Sequence, residues 1–457
     1  MLKKIGFLAC LMFACDGNDQ PKPPIVEEEE EFTQYGAPFD KVPDPQDVVL
    51  YEVNIRAFSE NGDFQGVIDR LDHIQNLGVN TIWLMPIHPV GQVRSAGGLG
   101  SPYAVRDYRG VNPEFGDLDK LRELVDEAHA RNIAVILDWV ANHTSWDNAW
   151  MSNPSWYTRD GSGQIIPPPG TNWQDVAELN YDNFDMREAM INAMKYWVYE
   201  ANIDGYRFDA VEFVPLDFWQ QALGELNEIA GRKLIFLGEG GNPDNFTAGF
   251  QINYAFDFYN NIKQVFSVGR SAKTIFTTHE AEYAYIPAGA VKLRYTTNHD
   301  LSAWEATPIE AFGGESAALS ASVITVFTSA APLIYGSQEV GRENKLSFFD
   351  RDPIDWNDNQ EMLESYRKIF SIYNETEAFR KGDLNWFDHD DIAAFTRTYA
   401  GEEYLVIANV RNAEKVWTVD DTLTSTQWTD RMSGDSLAFG ETVTLPPFGF
   451  FVLKRSD

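Results

Sequence analysis

Four short strings, DWVANH (138–143), GYRFDAVE (205–212), LGEGG (237–241) and TTNHD (296–300), each end or overlap a short apolar run. Such runs, bounded by turn residues, read as strands buried on both faces. Every run delivers acidic, Arg or His side chains at its C-terminal end, and stretches of helical spacing lie between them. A chain built this way can close its strands into a parallel barrel, with the polar groups gathered on the C-terminal rim. The expected fold class is therefore α/β, a (β/α)8 TIM barrel.

The alternation predicts strands over 48–53, 79–84, 133–137, 203–208, 233–237, 254–258, 291–296 and 332–335. Helical spacing is expected over 67–77, 186–199, 218–229 and 361–373. Asp117 should cap a further helix, in which Leu118, Leu121, Leu124, Val125 and Ala128 share one face. The barrel would occupy residues 46–140 and 186–377. Between them, residues 141–185 are rich in Trp, Pro, Asn and Gly, an irregular excursion domain after the third strand. From about Ala378 the apolar period changes to 2, which predicts a C-terminal all-β sandwich over 378–457, with strands at 393–398, 404–409, 443–445 and 449–453.

Composition narrows the partners. The 457 residues carry a net charge of −33, which makes nucleic acid or an anionic membrane surface an unfavourable ligand and suits a neutral one. At the N-terminus Lys3 and Lys4 precede an apolar run too short to span a bilayer, and the run stops at Cys15. Residues 1–15 are thus expected to be a bacterial lipoprotein signal, with the lipid on Cys15. That would place an exported chain at the outer membrane or cell surface. Residues 16–45, with Pro21, Pro23, Pro24 and a Glu run at 27–31, read as a linker. Cys10 and Cys15 are the only cysteines, so disulfides and cysteine metal sites are excluded from the mature body.

The strand-end residues suggest a chemistry. Arg207 and Asp209 stand two apart on one strand and so point the same way. Glu239 ends the next strand, His299 and Asp300 end a later one, and Asn142 and His143 follow the third. A lone Asp at a strand end is more often a helix cap, but four such ends in order call for another account. Two carboxyl groups on one rim can cleave a glycosidic bond, one as nucleophile and the other as acid, then base. An Arg beside the nucleophile favours its ionised form, whereas the acid needs a raised pKa.

These strings resemble the conserved regions of the α-amylase family of glycoside hydrolases (family 13), and SPYAVRDY (101–108) resembles the loop whose Tyr lies under the cleaved sugar. The resemblance implies Asp209 as nucleophile, Glu239 as acid/base and Asp300 as the third carboxylate, which distorts the sugar. It implies that Arg207 orients Asp209, that His143 and His299 bind sugar hydroxyls, and that Tyr103 forms a stacking floor. Asn142, with Glu178 standing where the family usually has Asp, would hold Ca2+. The family's Lys-His pair after the nucleophile is here Glu212-Phe213, and the residue after Asp209 is Ala210, which favours α-1,4 bonds. The expected activity is that of a retaining endo-α-amylase on starch-like α-glucans. The alternatives are a neopullulanase or cyclomaltodextrinase, a 4-α-glucanotransferase, or a non-catalytic glycan-binding lipoprotein. Aromatic residues make up 14% of the chain. Trp146, Trp150, Trp173 and Trp304 are the ones expected to stack on glucose rings.

Overall fold

The computed structural model describes residues 32–329 and 331–456. The expected signal segment, both cysteines and the acidic stretch up to Glu31 lie outside the described residues.

Eight parallel strands form the central sheet: β1 Leu50–Val53, β2 Thr81–Leu84, β3 Ala134–Trp139, β4 Gly205–Phe208, β5 Ile235–Gly238, β6 Ile252–Tyr254, β7 Val291–Leu293 and β8 Leu333–Tyr335. Each pairs with the next through β7, and β8 pairs with β1 in the register Leu50↔Leu333. A parallel bridge between Arg294 and Pro332 joins the end of β7 to the start of β8 and closes the ring. The fold is a (β/α)8 barrel. Its strands are buried because the sheet is filled on the inside and covered by helices outside. Gly205 opens β4 at φ +142, where an added Cβ would stand 2.1 Å from the Ile235 carbonyl oxygen of β5. Only a residue without a side chain lets the two strands meet there.

Two expectations are corrected. The run 254–258 is a strand only to Tyr254, and Phe256–Ser267 is a helix. Its Phe258, Tyr259, Ile262 and Val265 recur at helical spacing on the buried face, so a run of aromatics had concealed a 3.6 period. The segment 67–77 is two short helices, Phe64–Ile68 and Leu71–Asn76. The first is capped by Asp63, which accepts from the Gly66 N–H at 2.9 Å. Helix Leu118–Ala130 begins as expected, with Asp117 accepting from the Lys120 N–H at 2.9 Å.

After β3 the chain leaves the barrel. His143–Ser145 pairs antiparallel with Val176–Glu178, and the loop between them carries short 3-10 turns and an isolated antiparallel bridge between Arg159 and Ile165. Helix Phe184–Glu200, capped by Asn183, returns the chain to the barrel. The C-terminal part begins with a short helix, Glu377–Lys381, and continues as a six-stranded antiparallel sheet with a two-stranded ribbon, Lys415–Thr418 against Thr442–Leu445. Strand Ile392–Tyr399 shows how the period of 2 is used. Ile392 and Ala394 enter a small core with Leu405, Ile407, Trp417 and Leu445, whereas Ala393 and Phe395 pack into the core shared with the barrel. Buried Arg397 fastens this contact by donating to the carbonyls of Ala378 and Thr328.

Candidate active site

A cleft of about 760 Å³ opens at the C-terminal ends of the barrel strands, with Tyr103, His143, Asp209, Glu239, His299 and Asp300 among its lining residues. At its floor lies the guanidinium of Arg207, fully buried on β4. Nη1 donates to Asp138 Oδ1 at 2.9 Å and to Asp209 Oδ1 at 3.0 Å, and Nη2 stands 2.8 Å from Glu239 Oε2. One cation therefore touches three carboxyl groups from three successive strands. The register makes this possible: Asp138 and Arg207 are direct partners across β3 and β4, and Asp209 follows Arg207 on the same face. The Trp83 ring lies 4.9 Å from the guanidinium carbon.

Asp138 was not singled out from the sequence, and it supports the whole floor. Completely buried, it accepts from Trp83 Nε1 at 3.0 Å and from the Tyr103 hydroxyl at 2.9 Å, besides Arg207. Its acceptor capacity is spent on positioning others. The only signal in the sequence was an Asp at the end of a fully apolar strand, the same signal that marked its neighbours.

Burial controls the charge of the two facing carboxyls. It pushes Asp209 up to about 6, against the pull of Arg207 and with help from the negative charges of Asp138 and Asp300. Burial also lifts Glu239 to about 7; Arg207 again opposes, and Asp209 and Asp300 add repulsion. Glu239 Oε2 is further fixed by the Ala210 N–H at 2.8 Å. Ala210 sits in the left-handed region at φ 43, which turns that N–H toward the neighbouring strand end. Asp300 is the most open of the three, its side chain 45% exposed.

His299 resolves into an imidazolium by counting protons. The Tyr103 hydroxyl gives its one hydrogen to Asp138 Oδ2, so His299 Nε2, 2.8 Å away, must donate to the hydroxyl oxygen. Its Nδ1 faces the buried carboxylate of Glu52 on β1 and donates there. Burial alone would lower its pKa, but Asp300 and Glu52 hold it up at about 9. Glu52 is the second site residue that sequence reasoning missed. By contrast, burial pushes His143 down to about 4, and its ring is bonded to the Tyr103 backbone, so it faces the cleft neutral. Tyr103 lies nearly parallel to the His299 ring, with centroids 5.3 Å apart.

The tryptophans divide. Trp173 and Trp304 line the cleft, and Trp304 is 57% exposed. Trp146 and Trp150 do not: Arg94 covers the Trp146 ring at 3.9 Å, and Trp150 packs on Tyr108 and Trp156. Phe213 packs beside Trp173, and Phe348 and Phe349 beside Trp304, so the cleft carries two aromatic clusters; these three and the lining Phe256 were not anticipated.

Asn142 and Glu178 by themselves bring only two side chains toward a calcium ion. The Asn142 carbonyl accepts from the Leu179 N–H at 3.1 Å, and its amide lies 3.3 Å from His143 Nδ1. Glu178 is the register partner of His143, its backbone carbonyl accepts from the Thr158 N–H at 3.0 Å, and burial raises its side-chain pKa. Calcium takes six to eight oxygens, and among the described residues no three His, Cys, Asp or Glu side chains gather to hold an ion. No step below runs through a metal. Exhaustive dialysis against EDTA tests for the ion: a loss of melting temperature and activity reversed by added calcium would assign it to this hairpin.

The model of the α-amylase catalytic domain matches residues 35–161 and 171–426. The chain belongs to the α-amylase family of glycoside hydrolases. Among its relatives, α-amylase 2 of Dictyoglomus thermophilum is 26% identical over 434 residues, covering 88% of this chain and 73% of that protein. The β/α-amylase of Paenibacillus polymyxa is 28% identical over 413 residues, and the match takes in only 34% of that longer protein. Of solved structures, an α-amylase from Lactobacillus plantarum superposes with a TM-score of 0.82 at 27% identity, over 90% of this chain and 99% of that one. A maltogenic α-amylase from Thermotoga neapolitana gives the same TM-score at 25% identity, over 90% and 99%. As a family member, this α-amylase-type hydrolase is an enzyme acting on α-glucans.

Proposed function

We propose that the chain is a retaining, endo-acting hydrolase of α-1,4-glucans, with Asp209 as nucleophile and Glu239 as acid/base. The observation that carries this reading is the single guanidinium of Arg207, in contact with both carboxyls. It holds Asp209 ready to attack and brings Glu239 to the same corner of the cleft, as double displacement requires. Asp209 Oδ attacks the anomeric carbon while Glu239 delivers its proton to the departing oxygen. Water, deprotonated by Glu239, then releases the sugar from Asp209. Asp300 is open to sugar hydroxyls at this point, His299 and His143 line the same cleft, and the Tyr103 ring supplies the apolar floor. Aromatic rings on both sides of the carboxyls support a chain that crosses the cleft, hence endo action.

A second reading rests on the relatives. A cyclomaltodextrinase from Thermoanaerobacter pseudethanolicus is 26% identical over 82% of this chain, and the maltogenic enzyme named above superposes equally well. Product profiles from amylose, pullulan and cyclodextrins separate the two. Mixed maltooligosaccharides released early from amylose support endo action; maltose alone, with cyclodextrins cleaved faster than amylose, supports the second reading. Export on a lipid at Cys15 is proposed from the sequence, and the mass of the mature N-terminus tests it.

The pH profile follows from the two carboxyls. Asp209 must be ionised and Glu239 protonated, so kcat/KM should fall below about 6 and above about 7. Because the groups interact, these limbs belong to the pair. Both pKa values are raised on folding, so their stabilising share is present in acid and lost as pH rises through the same range. Glu239→Gln should remove the basic limb on a substrate whose leaving group needs no proton.

A further inference from the structure

Most polar backbone groups of the turn that follows Glu239 have a partner. Val211 N–H donates to the Glu239 carbonyl at 3.2 Å, and Gly240 N–H donates back to Gly238. The Gly241 carbonyl accepts from Lys292 Nζ at 3.2 Å, and the Asn242 carbonyl from Asn253 Nδ2 at 3.2 Å. The two remaining N–H groups, of Gly241 and Asn242, both donate to Glu212 Oε1 at 2.8 Å. There is no slack: a Cβ on Gly240 would stand 2.5 Å from Asn245 Nδ2 and 2.7 Å from Val211 Cγ2. Lys292 and Asn253 are buried, whereas Glu212 is exposed and lines the cleft beside Glu239.

We propose that Glu212 is a positioning residue for proton transfer, a cleft-lining carboxylate that clamps the turn carrying Glu239. The proposal rests on the assignment of Glu239 as acid/base. A carboxylate oxygen accepting two N–H bonds makes the strong, charge-assisted kind of hydrogen bond. Asp209 and Glu212 lie on one turn, and Glu239 and Asn242 on the next. Ala210 N–H to Glu239 Oε2 and Glu212 Oε1 to Gly241 and Asn242 therefore stitch nucleophile turn to acid turn from both ends. A lysine at 212 has three donors and no acceptor, and would leave both N–H groups facing a cation. The cleft wall next to Glu239 accordingly carries an anion and the Phe213 ring.

Glu212 acts through Glu239, so in the first step its loss should matter only when the leaving group needs a proton, and kcat/KM reports that step. Glu212→Ala is expected to lower kcat/KM on maltotriose about tenfold, to leave kcat/KM on α-maltosyl fluoride unchanged, and to speed amide exchange at Gly241 and Asn242. Glu212→Gln, which keeps the acceptor oxygen, should restore maltotriose cleavage; Glu212→Lys should resemble Ala. Equal loss of kcat/KM on both substrates, wild-type kcat/KM on maltotriose in the Ala or Lys variant, or unaltered exchange at the two amides would overturn the proposal. Amide exchange read on the folded protein serves any variant too inactive for kinetics. Failure of the underlying assignment looks different: Glu239→Gln itself would then show no preference for the fluoride.

Discussion

Asn in place of Asp209 is expected to lower kcat on maltooligosaccharides by about 10⁴-fold or more, the scale seen when a covalent nucleophile is removed. The amide has the same shape and can still accept from Arg207 Nη1 through its oxygen, so the floor should survive. Its charge is gone, and with it the nucleophile. Burial of the Asp209 carboxylate opposes folding, so the melting temperature should hold or rise while activity collapses. Parallel thermal melts and single-turnover rates check this. A variant that unfolds, or one that keeps more than about a hundredth of the activity, would remove Asp209 from the nucleophile's role. In the wild-type enzyme, the first product seen by NMR should be the α-anomer; β-maltose appearing first would mean inversion.

Arg207→Met should cost both fold and function. The guanidinium is fully buried among Asp138, Asp209 and Glu239. Taking away one member of such a cluster leaves buried carboxylates without their cation, a loss of about 3–5 kcal/mol. The remaining groups can relieve it only by taking up protons, which inactivates Asp209 at neutral pH. Urea unfolding should therefore show the stability loss shrinking as pH falls, because protonated carboxyls no longer need the cation. Activity should drop at least about 10²-fold. Arg207→Lys would not rescue it, since one ammonium cannot hold the fork of contacts made by Nη1 and Nη2. A stability loss independent of pH would show that Arg207 works by packing, not by charge.

The barrel was legible because its signals are local. Buried parallel strands are continuous apolar runs, and the groups at their C-terminal ends are polar for a reason that no core requires. Asp209, Glu239, Asp300, Arg207, His143, His299 and Tyr103 could be picked out on that ground and by resemblance, and the fold brings all of them to one cleft. The strand after Tyr254 was misread because Phe256, Phe258 and Tyr259 fit a strand as readily as a helix over so short a span. Trp146 and Trp150 were misread because tryptophan looks the same in sequence whether it faces sugar or a neighbouring side chain.

The sequence by itself determined the order of strands and helices, the change of period near Ala378 and the identity of the charged rim, since each depends on neighbours a few residues apart. Only the tertiary structure decided what those charges do. Glu52 lies 247 residues from the His299 it keeps protonated by accepting from Nδ1, Asp138 lies 69 from the Arg207 it anchors, and Glu212 reaches 29 and 30 residues ahead to the acid's turn. Protonation and aim are set by burial and by what stands within about 3 Å in space, and closure of the barrel alone fixes those distances.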